Sequence, residues 1–261
     1  MNKIKNVLLV YMKPSSEKER QSFSNIKKIL EKLKINFKEC ERSKQTKKHF
    51  KNKDLVVVVG GDGTFLRTSH FIEDKTPVLG VNSNPEKKEG FFMCCNKNNF
   101  EKKLDSFLKN KSKKIKLSRL EAKINNKRID LALNELFVGP IKPYKVSFYD
   151  LKLGKKQEHQ KSSGIIIGTA SGSNAWLKSA GGRRLFLSSR KFQFVVREPY
   201  SRKLTNIKLK KKVLSPKTTL EITSKKDDNI VVVDSLSPEY KFKKESILRI
   251  NVSDKLLNVI K

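Results

Sequence analysis

An α/β unit built on a parallel sheet, followed by a mostly antiparallel β unit, is the fold class this chain predicts, and three observations predict it. Strand-like and helix-like segments alternate through the first third. One strand, Leu55 with the four Val that follow it, is apolar at every position, as a strand covered on both faces of a parallel sheet must be. Beyond about Lys113 the pattern changes to successive strands of alternating apolar and polar residues.

Each element follows from local pattern. Residues 4–11 read as the first strand and 17–33 as a helix, because Phe23, Ile26, Ile29, Leu30 and Leu33 share one face. A short strand is expected at 35–39 and the central one at 55–59; Phe65, Leu66 and Phe71 then mark a helix over 64–71. A strand at 77–82 ends in a polar loop, and a helix at 99–108 closes this part. Such a βαβ series implies a Rossmann-like parallel sheet with its ligand at the strand C-termini. Further on, strands are expected at 114–124, 128–138, 144–153, 164–169, 192–197, 207–214, 218–223, 229–234 and 240–243, an antiparallel β-sandwich-like unit.

Between the central strand and its helix stands Gly60-Gly61-Asp62-Gly63-Thr64. Glycines at a helix N-terminus let free backbone N–H groups approach a phosphate closely. Neither Gly-x-x-x-x-Gly-Lys-Ser/Thr nor a complete Gly-x-Gly-x-x-Gly occurs, since Leu66 stands where the third glycine would be. A carboxylate beside a phosphate cradle repels the ligand unless it binds Mg²⁺ or accepts a proton from an attacking hydroxyl, so Asp62 has one of those roles or is a helix N-cap.

Composition bounds the rest. The chain has 261 residues, enough for two modest domains or one large one, and a formal charge of +33 from 59 Lys and Arg against 26 Asp and Glu. Only 11 of the 59 are Arg, and the lysines are scattered through nearly every segment. A solvated surface explains that dispersion better than a nucleic-acid stripe, which favours clustered Arg. Cys40, Cys94 and Cys95 have neither metal-ligand spacing nor an even count for a disulfide framework, and His49, His70 and His159 stand isolated. The apolar run near residue 10 is too short for a signal peptide and no membrane span is read, so a reducing, cytoplasmic compartment is expected.

Three polar islands interrupt the β pattern. Asn134-Glu135 lies inside an apolar strand, where burial without partners would be costly. Gln160-Lys161-Ser162-Ser163-Gly164 leads into Ile165–Thr169 and then Ala170-Ser171-Gly172-Ser173-Asn174-Ala175-Trp176, which carries the only Trp and runs on to Ser179. Arg197-Glu198-Pro199 ends a strand with an ion-capable pair. Each alone is also what a cap or a surface pair looks like; together with Asp62 they suggest one polar cleft between two domains.

In order and spacing these islands resemble the NAD kinases, over nearly the whole chain. The family's Gly-Gly-Asp-Gly-Thr turn matches Gly60–Thr64, its Asn-Glu pair Asn134-Glu135, and its Thr-Gly-Ser-Thr-Ala-Tyr run Ser171–Trp176; the loop 80–90 and the segments 160–164 and 196–199 resemble the mitochondrial-type branch. The resemblance implies an ATP-dependent kinase acting on the 2′-hydroxyl of the adenosine ribose of NAD, or of NADH, with Mg²⁺ accompanying ATP and no firmly assigned protein metal ligand beyond a place near Asp62. Asp62 would take the hydroxyl proton while Gly60, Gly61, Gly63 and Thr64 hold phosphates and Arg67 lines the dinucleotide. Asn134 and Glu135 would bond ribose and base edges, and Lys161, Ser163, Ser173, Asn174, Ala175, Trp176 and Ser179 would complete the pocket. Trp176 in place of Tyr keeps an aromatic face for a base; Ser163, Asn174 and Ser171 depart from the family's acidic residue and its two Thr. The resemblance also implies domains at 1–96 plus 246–261 and at 97–245, and a homodimer or homotetramer formed through the second. Two rival readings are a lipid kinase sharing the Gly-Gly-Asp-Gly-Thr turn and a basic nucleic-acid-binding protein on a kinase-like fold.

Overall fold

The computed structural model describes residues 4–201 and 207–261. The chain forms two compact units, one ending at Lys116 and completed by Leu256–Lys261, the other Leu117–Lys255.

The first unit opens with strand β1 (Val7–Tyr11), helix α1 (Glu17–Lys32) and strand β2 (Phe37–Glu41), followed by two short 3₁₀ turns, Arg42–Lys44 and Lys47–Phe50. Then come β3 (Leu55–Gly60), α2 (Asp62–Ser69), β4 (Val78–Asn82), β5 (Cys95–Asn96), α3 (Phe100–Leu108) and β6 (Lys114–Leu117). The last strand, β19 (Leu257–Ile260), returns to give the order β2-β1-β3-β4-β19-β6, with β5 on β4. Pairings of β1 with β2 and β3, and of β4 with β3, β5 and β19, are all parallel. β3 is buried at every position, as its run of Val requires. Ser16 caps α1 by accepting from the Glu19 amide, and Ile26, Ile29 and Leu30 turn inward. Each such burial contributes about 1.5–3 kcal/mol.

The second unit contains β7 (Leu120–Ile124), β8 (Lys127–Arg128), β9 (Glu135–Pro140), β10 (Ser147–Leu153), β11 (Lys156–Ser162), β12 (Ile165–Gly168) and the one-turn helix α4 (Trp176–Ser179). It continues with β13 (Phe192–Val196), β14 (Lys211–Leu214), β15 (Leu220–Ser224), β16 (Asn229–Val233), β17 (Leu236–Phe242) and β18 (Ile247–Val252). Two six-stranded sheets result, β11-β10-β15-β18-β7-β8 and β14-β13-β12-β9-β16-β17. Alternate residues of both, among them Tyr149, Ile222 and Ile250 from one and Leu136, Ile167 and Phe194 from the other, form a single core.

Several expectations shift. The strand foreseen at 114–124 breaks at Ser118-Arg119 into β6 and β7, which belong to different units. The buried Arg119 donates from Nε to the Lys255 carbonyl at 2.6 Å, tying together the two places where the chain passes between units. The strand foreseen at 128–138 survives only as β8 and β9, because Leu133 and Asn134 give their amides to a side chain instead of a ladder. β11 was not expected, since Lys156–Ser162 is polar, but a sheet edge tolerates charge on both faces. The unit limits fall at 116 and 255, not 96 and 246: α3 buries Phe100, Leu104 and Phe107 in the first core, and β18 pairs with β15 and β7.

Candidate functional site

In the first unit the site grows from the end of β3. Gly61 occupies the N-cap of α2 and Asp62 is the first helical residue, so the cap reading of Asp62 does not hold. The turn is tight: a Cβ on Gly60 would stand 2.7 Å from Thr64 Oγ1 and 2.9 Å from its Cβ. Instead of capping, the Asp62 carboxylate reaches across to the loop after β4, where Oδ1 accepts from the Phe92 amide at 2.9 Å and Oδ2 from the Phe91 amide at 3.0 Å. Each oxygen keeps a second lone pair.

That loop is itself anchored. Asn82 donates to the Lys88 carbonyl at 2.8 Å and accepts from the Asn84 amide at 3.0 Å. The Lys88 ammonium lies 2.6 Å from Glu19 and donates to Ser83 Oγ at 2.8 Å, while its aliphatic stem passes Gly61. Lys261 donates to the Phe91 carbonyl at 2.9 Å, and burial lowers its pKa. Gly61–Thr64 line an open cavity of about 400 Å³ with Met12, Arg42, Lys88 and Glu89. Burial, and then the neighbouring Arg67, lower the pKa of Arg42. Thr64 Oγ1, Arg67 Nε and Asn84 Oδ1 are buried without a protein partner.

In the second unit Asn134 and Glu135 start β9. The buried Asp234 carboxylate accepts from the amides of Leu133 (2.8 Å), Asn134 (2.7 Å) and Glu135 (3.0 Å), and its own amide donates to the Glu135 carbonyl at 2.9 Å. With the backbone held this way, Asn134 Oδ1 and Glu135 Oε2 remain buried and without a protein partner. Leaving such atoms unmade costs about 1–3 kcal/mol each, a burden natural sites carry where a ligand completes them. Burial, reinforced by Asp234, pushes the Glu135 pKa up to about 8.

The polar loop after β12 packs directly on this pair. The Thr169 hydroxyl donates to the Leu133 carbonyl at 2.6 Å and accepts from the amides of Ser171 and Gly172. Only glycine fits at 172, where a Cβ would lie 2.2 Å from the Asn134 carbonyl oxygen. Ser173 is fully buried and uses its hydroxyl internally, donating to the Ala170 carbonyl at 2.7 Å and accepting from the Leu185 amide at 2.9 Å. Asn174 donates to the Ala170 carbonyl at 3.2 Å; Ala175 caps α4 and Ser179 ends it, exposed. The Trp176 ring lies 5.3 Å from that of Phe137 and 5.4 Å from the Arg197 guanidinium.

Not every expected residue gathers at one point. In the pairing of β12 with β9, Gly168 faces Glu135 and Ile165 faces Val138, so Ser163 lies beyond the far end of β12 from Asn134 and Glu135. About 10 Å of strand separates Ile165 from Gly168. The Ser163 amide donates to the Arg197 carbonyl, and the Lys161 ammonium stands over the rings of Tyr200 and Phe148, 4.1 and 5.2 Å from their centroids. Sequence reasoning missed Arg42, Lys88 and Asp234. A polar residue ending the apolar run 230–233 was a signal for Asp234, whereas nothing local marks Arg42.

The sequence model of the ATP-NAD kinase N-terminal domain matches residues 3–112, and that of the ATP-NAD kinase C-terminal domain matches residues 133–261. The NADH kinase of Arabidopsis thaliana is 30% identical over 97% of this chain and 86% of its own length. A probable NADH kinase of Oryza sativa subsp. japonica is 30% identical over 74% of this chain and 66% of its own. Among solved structures, an NAD kinase from Archaeoglobus fulgidus in complex with ATP superposes with a TM-score of 0.79 at 23% identity, over 98% of this chain and 93% of that one. Yeast NADH kinase complexed with NADH does so at 0.83 and 16% identity, over 99% and 84%.

Proposed function

This chain belongs to the NAD kinase family, and from that premise we infer that it is an ATP-dependent NAD(H) kinase, transferring the γ-phosphoryl of ATP to the 2′-hydroxyl of the adenosine ribose to form NADP or NADPH. The observation that carries the reading is Asp62, pinned by two backbone amides at the mouth of the glycine turn with a lone pair left on each oxygen. Asp62 accepts the hydroxyl proton; the ribose oxygen bonds to the γ-phosphorus as the bond to the β-bridging oxygen breaks, and ADP leaves with that electron pair. The glycine amides at the turn offset phosphate charge, and positioning supplies most of the acceleration.

Asn134 and Glu135 hold the acceptor. With its pKa near 8, Glu135 carries a proton at neutral pH and can donate as well as accept, which suits a ribose or base edge. The Trp176 ring, with Ser179 beside it at a second pocket, offers a stacking face. Among the described residues no group of three or more His, Cys, Asp and Glu side chains makes a protein-only metal site. Glu89, which lines the cavity beside Asp62, would fit Mg²⁺ brought by ATP, because this ion keeps its waters and is held by phosphates and one or two carboxylates. When bound it supplies neutralisation of phosphate charge.

Free thiols at Cys40, Cys94 and Cys95 support a reducing, cytoplasmic setting, and Ile141, Tyr144 and Phe186, exposed on the second unit, support a homo-oligomer. Among the described residues no helix is long and apolar enough to cross a membrane. The lipid-kinase reading gives no role to the orphaned Asn134 and Glu135 atoms. Purified protein with Mg²⁺ and ATP should convert NAD or NADH to the 2′-phosphorylated product, read by an NADP-specific dehydrogenase. Lipid phosphorylation in liposomes, with no product from either dinucleotide, would refute the reading.

A further inference from the structure

Arg42 is a cation the proposed chemistry has not yet used. It stands in the 3₁₀ turn after β2, half-buried, and lines the same cavity as Gly61, Asp62, Gly63 and Thr64. Its guanidinium faces the glycine turn: a Cβ on Gly63 would lie 3.8 Å from its NH2 nitrogen. Two other groups explain why it is available. Lys88, the neighbouring cation of the cavity, is already paired with Glu19 and bonded to Ser83. Asp62 spends its known bonds on Phe91 and Phe92, and Glu89, the other carboxylate of the cavity, makes no ion pair with Arg42 among the described residues.

Burial first, and then repulsion from Arg67 in the last turn of α2, disfavour the charged form of Arg42 in the free protein. A half-buried guanidinium beside the N-terminus of α2, without an ion pair to the carboxylates of the cavity, is a standing electrostatic cost that an anion removes. The planar fork of an arginine matches phosphate oxygens bidentately.

We propose that Arg42 binds the phosphate chain of the ATP donor at the Gly60–Thr64 turn. This deepens the kinase reading and rests on it. The shared chemistry is a nucleotide polyphosphate; the donor's triphosphate is favoured over the dinucleotide's pyrophosphate because it brings roughly twice the charge to the guanidinium.

The test uses the full chain with Arg42→Met and Arg42→Lys, measuring steady-state kinetics, calorimetric binding of inorganic tripolyphosphate, and the ligand-free thermal midpoint. In Arg42→Met the KM for ATP and the Kd for tripolyphosphate should rise about 10- to 100-fold, while the KM for NAD stays within about 2-fold. Arg42→Lys, which keeps the charge and loses the fork, should fall between. Without ligand, Arg42→Met should melt at or above the wild-type temperature, because a repulsion has been removed; a merely structural arginine would give the opposite sign. Unchanged tripolyphosphate affinity, a KM rise confined to NAD, or a lower melting point with unchanged KM for ATP would each overturn the proposal. If the wild type makes no NADP(H), the kinase reading fails; the tripolyphosphate arm needs no turnover and still decides whether Arg42 is a phosphate ligand.

Discussion

At the Gly60–Thr64 turn the carboxylate that grips a neighbouring loop is itself presented to the cavity, whereas at Asn134-Glu135 the gripping carboxylate, Asp234, is buried and the groups left for a ligand belong to the gripped segment. Both arrangements use one Asp to satisfy backbone amides that no ladder satisfies. The consequences differ. On the proposed function, the over-determined position of Asp62 would serve chemistry, and Asn134 and Glu135 would serve recognition, because their backbone bonds are supplied from elsewhere, freeing Oδ1 and Oε2.

The comparison breaks most visibly at Asp62. Asp62→Asn should lower kcat by about 10²–10⁴-fold with little change in the KM for NAD, since the proton acceptor is lost. The replacement is not silent structurally: the Asn amide must oppose either the Phe91 or the Phe92 N–H, at a cost of about 1–3 kcal/mol. A thermal midpoint measured beside kcat separates the two effects, and an unchanged kcat would leave Asp62 only its anchoring role.

Glu135 offers a pH signature of the second site. Its pKa, raised from 4.5 to about 8, means that the folded chain keeps a proton there that the unfolded chain releases. The stabilisation tied to that proton is complete below about pH 4.5 and is lost as the pH rises through 8, at a slope of at most about 1.4 kcal/mol per unit. Glu135→Gln should flatten the slope in ligand-free protein and raise the KM for NAD; an unaltered pH profile of unfolding would show that Glu135 ionises as an exposed residue does.

Asp234→Ala removes an acceptor from three amides and should destabilise the protein by about 3 kcal/mol, while also lowering the Glu135 pKa. Gly172→Ala forces Asn134 and the loop apart, with an expected loss of about 1–3 kcal/mol and a higher KM for NAD. Ser173→Ala should cost only about 1 kcal/mol and leave both KM values unchanged, because its bonds are internal; a KM shift would return Ser173 to the ligand-binding set.

The contrast also explains what was legible in the sequence. The first site is local: an apolar strand, a glycine turn and an acidic residue lie within a few positions, so both the phosphate chemistry and the parallel sheet could be read there. The second depends on a partner near residue 234 and on the register of β12 against β9, neither of which periodicity reports. The same limit hid that the start of β12, next to Ser163, would face the end of β9 away from Asn134 and Glu135. Arg42 escaped notice because its role comes from the approach of a 3₁₀ turn to α2, and β11 because an edge strand need not be apolar.

The most direct test of the central claim is to offer the purified protein, with Mg²⁺ and ATP, both NAD and an NAD analogue lacking the 2′-hydroxyl of the adenosine ribose. The account predicts phosphorylation of NAD and none of the analogue. Equal phosphoryl transfer to both, or none to NAD or NADH, would contradict it.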